Sequence, residues 1–224
     1  NKMKKGRVTI PTDESFVEGT KEIAAMWGAD AVRDCDGTNL PKNVKELAEK
    51  VYNTYFIVRG DNEWADKHPE ETHRTFLMSA RNLAESDTLS IDPMQGYFAQ
   101  QIQPDAENLS YWEVYDRTSG EKHTDWAWDE KSGHVLVKNA RPMHEYTVNF
   151  MAKVVWHPVQ IYNYLTNNWT CAKQKMYDPA YPETAEYIKK HMEEWCCAHP
   201  ETDVVRFTTF LYQFTLIFNE KGKE

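Results

Sequence analysis

Two apolar runs of β type each end on an arginine: Ala29-Asp30-Ala31-Val32-Arg33 and Asp203-Val204-Val205-Arg206. Short runs of this kind beside amphipathic helical segments are the pattern of buried parallel strands. Such strand–helix units build an α/β protein, and in barrels of them the carboxyl ends of the strands carry the active site. Two guanidinium groups placed there suit phosphate, or a planar array of sugar oxygens. Each arginine also has a plainer reading, as a solvated charge where a strand leaves the core.

The 224 residues can form one large domain or two small ones. A formal net charge of −9 opposes a nucleic-acid partner, because phosphate backbones select a basic face. No run of 18 apolar residues is present, so no membrane span is expected. The basic start Asn1-Lys2-Met3-Lys4-Lys5-Gly6 has no apolar stretch behind it, which argues against a signal peptide. Cys35, Cys171 and the adjacent Cys196-Cys197 show neither metal-ligand spacing nor a disulfide framework, which suits a reducing cytoplasm. His191 and His199 lie near the last two, but adjacent cysteines ligate one tetrahedral ion poorly, so no metal is expected.

Along the chain, Arg7 to Pro11 predicts a strand. The following helix is capped by Thr12 or Asp13, buries Phe16, Ile23, Met26 and Trp27, and ends at Gly28. A second helix is predicted from Val44 to Tyr52, with Val44, Leu47 and Val51 on one side, then a strand from Tyr55 to Arg59. From about Thr75 to Tyr146 the texture changes to short β segments with turns at Ser119-Gly120 and Ser132-Gly133, which predicts an antiparallel insertion. Its aromatics are read as sheet packing. Strand–helix texture returns with the apolar run Tyr146 to Trp156. A helix through Val159, Tyr162 and Leu165 is expected next, then a helix from Pro182 to Ala198 with Tyr187, Ile188, Met192 and Trp195 in the core. Only about four strands of the βα type are present, and a closed parallel barrel needs eight. The expected fold is α/β, the amino-terminal part of a (β/α)8 TIM-like barrel, spanning 1–224, with a β-rich insertion at about 75–146.

No Gly-rich phosphate loop, His-Glu-x-x-His or Gly-x-Ser-x-Gly motif is present. The candidates therefore sit at strand–helix junctions. Asp34 and Asp36 follow Arg33 and can orient it or bind sugar hydroxyls, though turn formation before Gly37 explains them equally. Val159, Tyr162 and Asn163 fall where a helix follows a long apolar strand. Packing accounts for the first two, whereas the Asn163 amide can both donate to and accept from a sugar.

These residues carry a resemblance. Gly6-Arg7-Val8-Thr9-Ile10-Pro11, Trp27-Gly28-Ala29-Asp30-Ala31-Val32-Arg33 and Asp36-Gly37-Thr38 resemble the opening of the galacto-N-biose/lacto-N-biose phosphorylases, the 1,3-β-galactosyl-N-acetylhexosamine phosphorylases. So do Asn62-Glu63-Trp64, Leu83-Ala84-Glu85-Ser86-Asp87, Tyr111-Trp112-Glu113-Val114 and Tyr162-Asn163. The longest match is Thr202-Asp203-Val204-Val205-Arg206-Phe207-Thr208-Thr209-Phe210, followed by Tyr212-Gln213-Phe214-Thr215.

The resemblance implies an inverting glycoside phosphorylase that splits a β-galactosyl disaccharide with inorganic phosphate into α-D-galactose 1-phosphate and a free acceptor sugar. It implies a distorted (β/α)8 TIM-like barrel and no metal or organic cofactor. Arg33, Asn163 and Arg206 match positions lining the family's substrate pocket, and Val159 matches one near the acceptor; Asp36 and Tyr162 are carried with them as substrate-binding candidates. Whether each arginine meets phosphate or sugar stays open. The family's general acid is an aspartate on a later strand, expected beyond Glu224, so the chain alone is expected to be inactive. A cytoplasmic location and a homodimer of the full-length protein are further expectations. The alternatives are a non-catalytic carbohydrate-binding module or a β-galactosidase-type hydrolase.

Overall fold

The parallel strand–helix pattern begins at the amino end, is left for a long antiparallel stretch, and is resumed near residue 180 in the computed structural model. The structure describes residues 9–11, 16–34, 41–156, 172–208 and 217. In chain order the elements begin β1 (Thr9–Pro11), α1 (Val17–Trp27), β2 (Ala31–Arg33), α2 (Lys42–Lys45), β3 (Lys50–Phe56) and α3 (Asn62–Lys67). Then come β4 (Arg74–Met78), β5 (Asn82–Leu83), β6 (Thr88–Ile91), β7 (Ile102–Pro104), β8 (Glu113–Asp116) and β9 (Lys122–His123). The series closes with β10 (Trp126–Asp129), β11 (His134–Lys138), β12 (Glu145–Val154), α4 (Pro182–Ala198) and β13 (Val204–Thr208). The described residues divide into two compact units, one up to Arg59 and again from Asp178, the other from Gly60 to Tyr177 with Ile217.

In the first unit four parallel strands pair in the order β1-β2-β3-β13. Gly28 ends α1 in the left-handed conformation at φ 66°, which a residue without Cβ adopts freely, and its N–H donates to Ala24 O. The chain thereby turns straight into β2, whose Ala31 and Val32 are buried. Tyr55 of β3 is fully buried and joins the sheet to α4, with its ring edge-on to Trp195 at 5.2 Å and its hydroxyl 2.7 Å from His191 Nδ1. The Arg59 guanidinium lies 5.3 Å above the same ring. Among the described residues the sheet is open, with β1 and β13 at its edges.

Four expectations are corrected here. The buried stripe of α1 is Thr20 and Ala24, an i,i+4 pair with Ile23 half-buried beside it, while Phe16, Met26 and Trp27 are exposed, so apolar spacing misplaces three of the four expected residues. The second helix stops at Lys45, and β3 takes over from Lys50 to Phe56, so Val51 and Tyr52 are strand, and of the run Tyr55 to Arg59 only Tyr55 and Phe56 belong to it. Tertiary pairing overrides helix propensity at this point. Lys50 N donates to Asp30 O, and Asp203 both donates its N–H to Val51 O and accepts from Val51 N through Oδ2. Arg206 lies inside β13 rather than closing it, because pairing with β3 continues to Thr208.

The fourth correction concerns β12. Its apolar run predicts a return to parallel units, but it is the central strand of a six-stranded antiparallel sheet, paired with β4, β5, β7 and β8. Its ten residues are long enough to serve partners on both sides, and local antiparallel strands reach it without crossovers. A second sheet, β10-β11-β6, completes the second unit. Gly120 and Gly133 make the foreseen turns at φ 82° and 70°. Trp112, Tyr146 and Phe150 are buried in one cluster with Val114, Val135 and Val148. Among the described residues no helix is long and apolar enough to cross a membrane.

A charged link ties β2 to the turn before β13. Asp34, 1% exposed, lies 3.5 Å from Lys45 Nζ, which also donates to Glu201 at 2.6 Å. Burial opposes the Lys45 ammonium, but the Glu201 hydrogen bond and the two nearby carboxylates outweigh it and raise its pKa. That bond also holds the Glu201 carboxyl below its usual range. A depressed carboxylate adds stability above its unfolded pKa and loses it as pH falls through the folded one. Lys45→Ala should therefore cost about 1–3 kcal/mol at pH 7, measured by denaturant unfolding, because Asp34 loses a cationic neighbour. The cost should shrink below the ordinary carboxylate range near pH 4; a cost unchanged at pH 3 would remove the ionic explanation.

Candidate functional site

Side chains alternate across a strand, and paired residues of neighbouring strands share a face. Arg33 lies opposite Tyr52, and Arg206 opposite Thr54. Tyr52 and Thr54 are two residues apart on β3, so all four belong to one face of the sheet. Tyr55, which meets α4, belongs to the other. Two strand spacings of about 4.8 Å and a two-residue rise of about 6.6 Å put the arginine Cα atoms about 12 Å apart, within reach of converging guanidinium groups.

The two side chains line one recess of about 190 Å³ together with Thr9, Tyr52, Asn53 and Thr54. Thr54 and Asn53 are buried, at 3% and 2% exposure, while both arginines are exposed. Asn53 pairs with Val205 and by alternation carries its side chain to the Tyr55 face, where Oδ1 is buried without a hydrogen-bond donor. The site is thus a rigid floor of central-strand residues with two long cations above it. Its volume is below the roughly 300 Å³ where pockets for larger organic ligands begin, and suits a small anion or one edge of a sugar ring. Among the described residues lining it there is no carboxylate, so it can bind and neutralise negative charge but offers no carboxylic proton donor.

Arg33 and Arg206 are therefore brought together. Asp36, Val159, Tyr162 and Asn163 lie outside the described residues. Asp34 points its carboxylate into the buried link with Lys45. His191 is engaged with Tyr55, and His199 Nδ1 lies 2.8 Å from Trp195 O. Sequence reasoning missed Thr9, Tyr52, Asn53 and Thr54. The alternation through Val51 to Tyr55 was the available signal, and it was masked by assigning Val51 and Tyr52 to a helix.

A parallel strand–helix sheet with strand-borne cations on one face is what part of a TIM-barrel domain presents. The chain belongs to the family described as the Lacto-N-biose phosphorylase N-terminal TIM barrel domain, which matches residues 6–224. Over 224 residues it is 46% identical to a 1,3-β-galactosyl-N-acetylhexosamine phosphorylase of Bifidobacterium longum subsp. longum, covering 98% of this chain and 30% of that protein. A phosphorylase of the same name from Lachnoclostridium phytofermentans is 43% identical, with 98% and 31% covered. A D-galactosyl-β-1→4-L-rhamnose phosphorylase of the same organism is 37% identical, with the same coverage. The chain thus spans about a third of the length of these relatives.

Proposed function

We propose that this chain forms the front of the catalytic barrel of an inverting glycoside phosphorylase, a hexosyltransferase that cleaves a β-galactosyl disaccharide with inorganic phosphate. One observation carries the reading within the family: Arg33 and Arg206 line a single recess of small-anion size. In the proposed reaction a phosphate oxygen attacks the anomeric carbon from the face opposite the leaving sugar. The bond to the glycosidic oxygen breaks, and its electron pair stays on that oxygen, which takes a proton from a carboxylic acid. The products are α-D-galactose 1-phosphate and a free acceptor sugar.

Within that scheme the arginines hold phosphate or the adjoining sugar oxygens and offset the negative charge brought into the site, the usual work of fixed guanidinium groups in group transfer. Thr54 and Tyr52 space the two cations, since they are the residues opposite them in the sheet. Asp36, Tyr162 and Asn163 are proposed sugar contacts, and Val159 a position bordering the acceptor. The carboxylic proton donor is proposed to lie outside this recess, and the 224-residue chain by itself to be inactive. The reaction is placed in the cytoplasm, needs no cofactor, and involves neither nucleic acid nor a membrane. A homodimer of the complete enzyme is part of the proposal.

In a complete phosphorylase carrying this domain, Arg206→Ala should lower phosphorolysis by at least about a hundredfold, the scale of losing one transition-state contact. Turnover near the parent level would remove Arg206 from the site. Arg33→Lys should also lose activity, because an ammonium keeps the charge but not the two-pronged hydrogen bonding. Full activity of that variant would show that charge alone suffices at this position. Galactoside cleavage that runs equally well without phosphate would replace phosphorolysis with hydrolysis.

A further inference from the structure

The second unit holds a larger cavity, of about 630 Å³, among β7, β10, β12 and the short 3-10 helix Ala106–Tyr111. That volume is within the range of about 300–1,000 Å³ typical of small-molecule sites. Trp128 and Leu109 supply apolar wall, and Gln103, Asp105, Glu130 and Lys153 supply polar wall. The Trp128 ring is braced edge-to-face on Trp112 at 5.1 Å, and its Nε1 hydrogen is buried with no acceptor. The Nε1 hydrogen of Trp112, outside the cavity lining, is buried in the same way, so it is the braced ring of Trp128 rather than its N–H that the cavity offers a ligand.

The polar side of the cavity is equally fixed. Asp105 is fully buried, and its Oδ2 accepts from Arg74 Nε at 2.7 Å and Asn108 Nδ2 at 2.8 Å. Its Oδ1 has no hydrogen bond, although Lys153 Nζ lies 3.7 Å away. Lys153 also pairs with Glu107 at 2.7 Å. Around the cavity Asp105, Glu107 and Glu130 outnumber Lys153 and Lys175, which disfavours an anionic ligand. An aromatic and aliphatic wall facing polar donors and acceptors, with no excess of positive charge, matches a ring with one C–H face and a hydroxyl edge.

We infer that this cavity is a binding site for a neutral hexopyranoside, built entirely within the antiparallel unit. The sugar's C–H face lies on Trp128 and Leu109, and its hydroxyls meet Lys153, Gln103 and Glu130. The arginine recess takes no part in this site, so the two proposals stand or fall separately.

Methyl β-D-galactopyranoside, lactose and inorganic phosphate are titrated in turn into the full 224-residue chain labelled with nitrogen-15, following its eight indole resonances. The Trp128 resonance is assigned as the one missing from Trp128→Phe. Both sugars should shift it along a saturating curve, while phosphate leaves it in place. Lys153→Ala should weaken that curve by at least about tenfold, the loss of a hydrogen bond from a charged donor, with the other indole resonances unmoved. Arg206→Ala should leave it as it was. An unmoved Trp128 resonance at saturating sugar, or one shifted by phosphate alone, would overturn the site. So would a curve abolished by Arg206→Ala and untouched by Lys153→Ala. Should Trp128→Phe not fold, Trp128→Tyr supplies the assignment and the same outcomes apply.

Discussion

The register of β3 between β2 and β13 is the constraint on which the first unit depends. Because Arg33 falls opposite Tyr52 and Arg206 opposite Thr54, two cations separated by more than 170 positions in sequence share one face. A slip of one residue in either pairing would move an arginine to the face that meets α4. The register is held from outside the recess. Asp203 bridges to Val51 at the start of the β3–β13 pair, Lys45 links Asp34 to Glu201, and Tyr55 pins β3 to α4.

Much of the architecture was legible because it rests on local chemistry. Gly28 stops a helix by its own backbone freedom, the Ser-Gly pairs turn hairpins, and Pro182 opens a helix whose bounds the sequence marks at both ends. What misled was non-local. Val51 and Tyr52 fit a helical stripe as well as a strand, and only the neighbours β2 and β13 decide between them. The run at β12 is as apolar as a buried parallel strand, yet its partners are the short antiparallel strands flanking it in sequence. Phe16, Met26 and Trp27 show the same limit on a helix, where spacing names a stripe but not which side is covered.

The candidate site divides along the same line. Arg33 and Arg206 stand out because each ends an apolar run, whereas Tyr52 and Thr54 carry no such mark and enter the recess only through pairing with them. Under the proposed function the recess gives a physical reason for two arginines on these strands. Its described lining residues include no carboxylate, and in the proposed reaction its role is anion binding alone.

The most direct test of this convergence is a double-mutant cycle on phosphorolysis in a complete phosphorylase carrying this domain. It compares Arg33→Ala, Arg206→Ala and the pair, with phosphate as the varied substrate. Two guanidinium groups on one anion predict that the double variant loses clearly less than the product of the single losses. Losses that simply multiply would mean that the arginines act independently, and the shared recess would no longer explain them.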